Sequence, residues 1–207
     1  MSNIIFDFDG TIADSLPVVI ELFYKWSKRE PYTKNEIETL RNMTAKEVVK
    51  SVGVPMWRVP SLLARGRRDF TKFIDQVEVF KGMPDVIAEL HQRGHSLYLM
   101  SSNSSGNVHK YLKLHKIDQY FETVYGNAGL FNKARAMSRL IRRYKLDRQH
   151  TYSVGDETRD VDAAKKVRIT SIAVNWGFNA DQILKQHKPD HLISKPAELL
   201  DLIKDAK

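Results

Sequence analysis

Short apolar runs alternate with amphipathic stretches along most of the chain. Strands are predicted at Asn3–Phe6, Ser96–Met100, Thr123–Tyr125, Tyr152–Val154, Thr170–Val174 and His191–Ile193. They are rich in Val, Ile, Leu and Tyr with little polar alternation, the pattern of parallel strands covered on both faces. Between them apolar residues recur at helical spacing: Val86, Ile87 and Leu90; Val108, Tyr111, Leu112 and His115; Ala134, Met137, Ile141 and Tyr144; Val161, Ala164 and Val167. Met83-Pro84 opens the first of these helices, and Gly94 is placed to end it. This alternation predicts a doubly wound, mostly parallel α/β sheet with a Rossmann-type core.

Residues 15–80 break the alternation. Helices are predicted at Leu16–Trp26, Glu36–Leu40, Thr44–Ser51 and Leu62–Ile74, with a strand only at Val77–Phe80. Asp14-Ser15 are good N-cap types, and Pro17 suits a first turn. The segment 15–80 is therefore expected to be an all-helical cap domain. It is inserted into a catalytic core made of residues 1–14 and 81–207. An insertion placed directly after the first strand stands over the C-terminal edge of the sheet, where open α/β sheets bind ligands. Trp26 and Trp57 are assigned to the core or the surface of this cap.

Composition narrows the chemistry. The 207 residues are 42% hydrophobic, which argues for a packed protein and against disorder. Cysteine is absent, so disulfides and thiolate metal sites are excluded, and a cytoplasmic location is expected. The N-terminal apolar run is too short for a signal peptide and is broken by Asp7. No stretch approaches the ~20 apolar residues of a membrane span, so no membrane partner is expected. The net charge of +8 suits anionic small substrates. No recognition motif accompanies it, so nucleic acid is not expected as the main partner. Oligomeric state is left open.

Polar clusters fall at the ends of predicted strands. Asp7-Phe8-Asp9-Gly10-Thr11 follows the first strand, and Ser101-Ser102-Asn103-Ser104 follows the strand ending at Met100. Lys133 stands just before a helix, and Gly155-Asp156-Glu157-Thr158-Arg159-Asp160 follows Val154. Carboxylates at the mouth of an apolar strand are costly to desolvate unless something compensates them. A metal ion together with a phosphate group would do so. His187 and His191 are separated by Pro189, which disrupts a helical metal pair, and they are read as structural.

These motifs, in this order, resemble the haloacid dehalogenase superfamily on its phosphatase side, and in particular phosphoglycolate phosphatase-like hydrolases. The helical insertion is similar to the C1 type of cap. Trp176-Gly177-Phe178 also resembles a loop of that group.

Phosphoryl transfer from a monoester needs an aligned nucleophile, cations around the phosphoryl oxygens and an acid for the leaving group. Asp7 is assigned as the nucleophile that forms an aspartyl-phosphate, and Asp9 as general acid and then base. Asp9 keeps its proton through a raised pKa, attributed to neighbouring carboxylates. Asp7 and Asp156 are expected to ligate Mg²⁺, and the resemblance implies the backbone carbonyl of Asp9 as a further ligand. Ser101 and Lys133 are assigned to the phosphoryl group, joined by Gly10, Thr11 and the backbone of Ser102 at a helix N-terminus. Asp160 and Glu157 are given supporting roles, Asp160 by orienting a metal-bound water or pairing with Lys133.

The expected substrate is a small phosphorylated metabolite, with phosphoglycolate as the named candidate. A sugar phosphomutase is the alternative within the superfamily. Dehalogenation is disfavoured because Asp9 is present, and Lys46 and Lys50 are read as exposed rather than imine-forming. A non-catalytic basic binding protein on this fold would be expected to lack one of Asp7, Asp9, Lys133 or Asp156, and all are present. Substrate specificity is assigned to the cap turn with Arg41, Asn42 and Thr44. One of Arg58, Arg65, Arg67 or Arg68 is expected to grip a second anionic group in bidentate fashion.

Overall fold

The computed structural model describes residues 1–27, 30–129 and 132–204, with the backbone alone at 26 and 27, so the side chain of Trp26 lies outside the described residues. Its strands are β1 (Asn3–Phe6), β2 (Ala13–Asp14), β3 (Glu78–Val79), β4 (Ser96–Met100), β5 (Phe121–Tyr125), β6 (Thr151–Gly155), β7 (Thr170–Val174) and β8 (His191–Ile193). Six of them form one sheet in the order β5-β4-β1-β6-β7-β8, with every pair parallel. From β1 the chain runs outward to β4 and β5, then returns to β6 on the other side of β1. That reversal of direction is where open sheets of this kind form a ligand crevice.

The helices of the core are α5 (Met83–Gln92), α6 (Ser105–Leu114), α7 (Lys133–Tyr144), α8 (Thr158–Val167), α9 (Asp181–Gln186) and α10 (Glu198–Leu202), after four that precede them in the chain. Side chains alternate across a strand, so consecutive apolar residues reach opposite faces. Ile4, Phe6, Leu97 and Leu99 pack with Val86, Ile87 and Leu90 of α5 and Val108, Tyr111 and Leu112 of α6. Ile5, Tyr98 and Met100 pack instead with Met137, Leu140 and Ile141 of α7 and Ala164 and Val167 of α8. Each fully buried side chain of this size contributes roughly 1.5–3 kcal/mol. Covering both faces of the sheet explains why its strands read as continuous apolar runs.

The earlier helices are α1 (Leu16–Ser27), α2 (Lys34–Arg41), α3 (Ala45–Ser51) and α4 (Val59–Phe70). Thr33 with Glu36 and Thr44 with Glu47 form reciprocal capping boxes at the starts of α2 and α3. The helix expected over Leu62–Ile74 is displaced: α4 begins at Val59, with Pro60 in its first turn, and ends at Phe70, and a separate 3₁₀ turn covers Ile74–Gln76. The strand expected at Val77–Phe80 shrinks to β3 and does not join the main sheet. It pairs antiparallel with β2, so the two tethers of the helical segment form a small ribbon with Asp14 opposite Glu78. Trp57 is 75% exposed, which places it on the surface.

Candidate active site

The backbone N–H of Asp7 donates to the carbonyl of Val154 at 2.8 Å, which carries the β1–β6 pairing one residue beyond β1. The parallel register therefore sets Asp7 beside Gly155-Asp156, while Ser101 leaves β4 on the other side of β1. Lys133, the first residue of α7, places its ammonium 2.9 Å from Asp7 Oδ2 and in direct contact with Asp160 Oδ1. Carboxylate oxygens of Asp7, Asp156 and Asp160 all lie within 4.8 Å of one another, and all three residues are buried.

Asp156 is held in a close-fitting cradle. Thr11 Oγ1 donates to one of its oxygens at 2.8 Å, and the Phe178 N–H donates to the other at 2.7 Å. Gly10 has φ +77°, and a Cβ there would overlap the Asp156 carboxylate. A Cβ on Gly177 would overlap both that carboxylate and the carbonyl of Gly10. Glycine at these two positions is what lets the loops after β1 and β7 close on Asp156.

The electrostatics follow from burial. Asp7 is pushed up to about 7, first by loss of solvation, with Lys133 opposing and Asp160 adding to the rise. Burial also lifts Asp156 well above the carboxylate range, and Glu157, Asp7 and Asp160 reinforce it. Lys133 is itself disfavoured by burial, but the charges of Asp160 and Asp7 outweigh this and raise its pKa. Asp7 Oδ2 and Asp160 Oδ1 are buried with the Lys133 ammonium against them and no other hydrogen-bond donor among the described residues. The Lys133 ammonium thus stands against three converging carboxylates, while the nearby Arg159 is paired with a fourth, Glu157. An all-oxygen cluster with this charge deficit fits a hard divalent cation.

The other residues singled out in the sequence take the following places. Asp9, half-buried, receives a 3.4 Å contact from Ser101 Oγ on its Oδ2. Its pKa is raised by burial rather than chiefly by carboxylates; Ser15, Arg159 and Asn103 act against the rise. Ser101 Oγ accepts the Asn103 N–H at 2.8 Å. Ser102 was expected at a helix N-terminus, but α6 starts at Ser105 with Ser104 as its N-cap, so Ser102 lies in the loop before it. Thr11, assigned with Gly10 to the phosphoryl group, gives its hydroxyl to Asp156, and Gly10 adjoins the same carboxylate. Asp160 pairs with Lys133, and its Oδ2 accepts the Glu157 N–H at 3.0 Å. Glu157 pairs with Arg159 at 2.5 Å.

The turn between α2 and α3 is bound to the loop after β7. Arg41 donates from Nε to the Phe178 carbonyl at 3.3 Å and from a terminal nitrogen to that of Gly177 at 3.1 Å. Asn42 bonds back to Glu38, and Thr44 caps α3, so neither shows a polar contact with the acidic cluster. Asn179 had no signal in the sequence beyond following a strand. Its amide donates to the carbonyls of Arg41 and Met43 at 3.1 and 2.9 Å, and its oxygen accepts the Thr158 N–H at 2.9 Å. Arg159 stood inside the acidic motif without a role and proves to be a second, largely buried cation. An open cleft of about 720 Å³ lies elsewhere, between β5 and α7, lined by Arg139, Arg142 and Arg143.

Comparison with known proteins agrees with this arrangement. The chain is 34% identical to a phosphoglycolate phosphatase of Synechococcus elongatus, over 98% of this chain and 97% of that one. It is 25% identical to a phosphoglycolate phosphatase of Vibrio cholerae, covering 97% and 96% of the two chains. The solved structure of a haloacid dehalogenase-like family hydrolase of Streptococcus pneumoniae superposes with a TM-score of 0.81, covering 99% of both chains at 20% identity, and so shares the fold. The family model for haloacid dehalogenase-like hydrolases matches residues 4–174, the span that carries Asp7, Ser101, Lys133 and Asp156, and the chain belongs to that family.

Proposed function

We propose that the protein is a Mg²⁺-dependent phosphatase that hydrolyses a small phosphomonoester through an aspartyl-phosphate on Asp7. The observation that carries this reading is Lys133 lodged between Asp7 and Asp160, with Asp156 alongside. Asp7 and Asp156 would hold the ion, with the Asp9 backbone carbonyl as a further ligand, and Asp160 would fix Lys133 and the ion's water shell. Bound there, Mg²⁺ would favour the ionised form of Asp7 and offset charge on the phosphoryl oxygens.

Asp7 attacks phosphorus, forming the Oδ–P bond as the bond to the leaving oxygen breaks. Asp9, whose pKa burial raises, gives its proton to that oxygen. Its carboxylate then takes a proton from the water that attacks phosphorus, and Asp7 is released. Lys133 lowers the repulsion between an anionic nucleophile and an anionic substrate. Ser101 stands at the phosphoryl site, where its hydroxyl already contacts Asp9.

Residues 15–80 form a cap in this reading, with the β2–β3 ribbon as its hinge and the Arg41–Asn179 contacts as one edge of its closed position. Closure keeps bulk water from the phosphoenzyme. Phosphoglycolate is the proposed substrate, supported by the named activity of the Synechococcus relative. A cytoplasmic location belongs to the same proposal; among the described residues no helix is long and apolar enough to cross a membrane.

The test is phosphate release from 2-phosphoglycolate, with Mg²⁺ or with a chelator, by the wild type and by Asp7→Asn. Release that requires Mg²⁺ and falls at least about a thousand-fold in the variant is expected. Metal-independent release, or an active Asp7→Asn protein, would refute the reading.

A further inference from the structure

Four arginines make the later part of the helical segment basic, and the structure separates them. Arg58 lies over the ring of Trp57, its guanidinium carbon 4.8 Å from the centroid. Arg65 lies 3.7 Å from Asp69 on the same helix, and Arg68 is exposed. Arg67 alone among them reaches the loop after β4: its Nε donates to the backbone carbonyl of Ser102 at 2.7 Å. Its two terminal nitrogens have no hydrogen-bond or ion-pair partner among the described residues.

The same residue is approached from the opposite side of the chain. Arg159, on α8, donates from one terminal nitrogen to Ser102 Oγ at 2.7 Å and from the other to Glu157 at 2.5 Å. Two guanidiniums, one from the helical segment and one from the core, therefore converge on Ser102. Glu157 balances the charge of Arg159; no carboxylate among the described residues forms an ion pair with Arg67. Asn107 Nδ2 donates to the Arg67 carbonyl at 2.8 Å, and Thr71 Oγ1 donates to Asn107 Oδ1 at 2.7 Å, so this turn of α4 is fixed against α6.

We propose that Arg67, with Arg159 beside it, forms a subsite for a second anionic group of the substrate, so that the enzyme selects short phosphomonoesters bearing a further negative charge. The inference rests on the phosphatase reading and deepens it. A guanidinium pinned through Nε leaves its terminal edge to form two parallel bonds to one carboxylate or phosphate. Ser102 follows Ser101 directly, and consecutive Cα atoms are about 3.8 Å apart. The guanidinium is anchored on the residue next to Ser101, which favours a short substrate whose second anion lies close to the phosphoryl group over a phosphosugar with its charge on one end only. The Arg41, Asn42 and Thr44 turn then serves closure, and selection of the substrate falls to Arg67.

The test compares wild type and Arg67→Gln on three compounds: 2-phosphoglycolate, inorganic pyrophosphate and ethyl phosphate, which has no second anion. Wild type should prefer 2-phosphoglycolate over ethyl phosphate in kcat/KM. Arg67→Gln should lower kcat/KM for 2-phosphoglycolate roughly 10- to 100-fold, mainly through KM, and change that for ethyl phosphate by no more than about twofold. A loss that extends to pyrophosphate also supports the subsite and shows that it accepts a phosphoryl group as well as a carboxylate. Arg67→Lys, which keeps the charge but not the fork, should fall between. Equal loss on the charged and uncharged esters would overturn the proposal and make Arg67 a latch for the Ser102 loop. No loss on 2-phosphoglycolate would overturn it as well. A wild type inactive on all three compounds fails the phosphatase reading itself, and the subsite with it.

Discussion

Removing divalent metal should make the protein less stable as pH rises from 5 to 8. Asp7 has an ordinary carboxylate pKa of 3.8 when unfolded and about 7 in the fold. Between those values the native state binds more protons than the unfolded one, so stability falls with increasing pH and the loss is complete above the folded pKa. A shift of this size, at about 1.4 kcal/mol per unit, corresponds to a few kcal/mol. Asp156 and Asp9 are raised and act in the same direction. Carboxylates with lowered pKa (Glu36, Glu47, Asp147, Asp181 and Asp190) act oppositely, but they titrate below this window.

For a chain of this length each kcal/mol moves the melting temperature by roughly 2–4 °C, so a drop on the order of 5–10 °C is expected between pH 5 and pH 8 in chelator. Mg²⁺ binds the ionised cluster, so its stabilisation should be larger at pH 8 than at pH 5. Asp7→Asn isolates the titrating group: it should flatten the slope and melt above the metal-free wild type at pH 8. A metal-free melting temperature that is flat or rises from pH 5 to 8, with Asp7→Asn no more stable at pH 8, would refute this electrostatic picture.

Further substitutions probe the framework. Gly10→Ala puts a Cβ into the Asp156 carboxylate at φ +77°, and should cost about 1–3 kcal/mol and remove the Mg²⁺-induced rise in melting temperature. Glu78→Gln relieves the like-charge pair with Asp14 in the β2–β3 ribbon, and a gain of up to about 1 kcal/mol is expected in denaturant unfolding. Asn179→Ala leaves the Thr158 N–H and the Met43 carbonyl without their partner, while the Arg41 carbonyl keeps the Ala180 N–H; about 1–3 kcal/mol should be lost, with faster amide exchange over residues 41–44.

The sheet was legible because its strands are buried on both faces and therefore apolar without interruption, and because a polar cluster directly follows β1, β4 and β6. The register of parallel strands then brings Asp7 and Asp156 together without further information. The β2–β3 ribbon was legible only at β3, inside the strand expected at Val77–Phe80; β2 and the pairing were not, because the strands have two residues each, half of them acidic, and pair only where the tethers of the helical segment meet. Helices α9 and α10, of six and five residues, are too short to show a period. Pro60 marks the start of α4, but the apolar run that signals the helix begins only at Leu62.

At the site, the acids and Lys133 stood out by residue type and position, whereas their supports did not. Asn179 acts on backbone groups far away in sequence, and Phe178 acts through its own backbone on distant side chains. Arg159 reads as an ordinary solvated charge until the fold buries it. The rise in the Asp9 pKa has burial as its main cause, a property that neighbouring residues in the sequence do not reveal.

The most direct test is the identity of the residue that carries the phosphoryl group. In Asp9→Asn, p-nitrophenyl phosphate with Mg²⁺ should still phosphorylate the enzyme, because its leaving group needs no acid, while hydrolysis of the intermediate stalls. Acid quenching and peptide mapping should then find an acyl phosphate on Asp7. Label on Ser101, or rapid phosphate release with no covalent label anywhere, would contradict nucleophilic attack by Asp7.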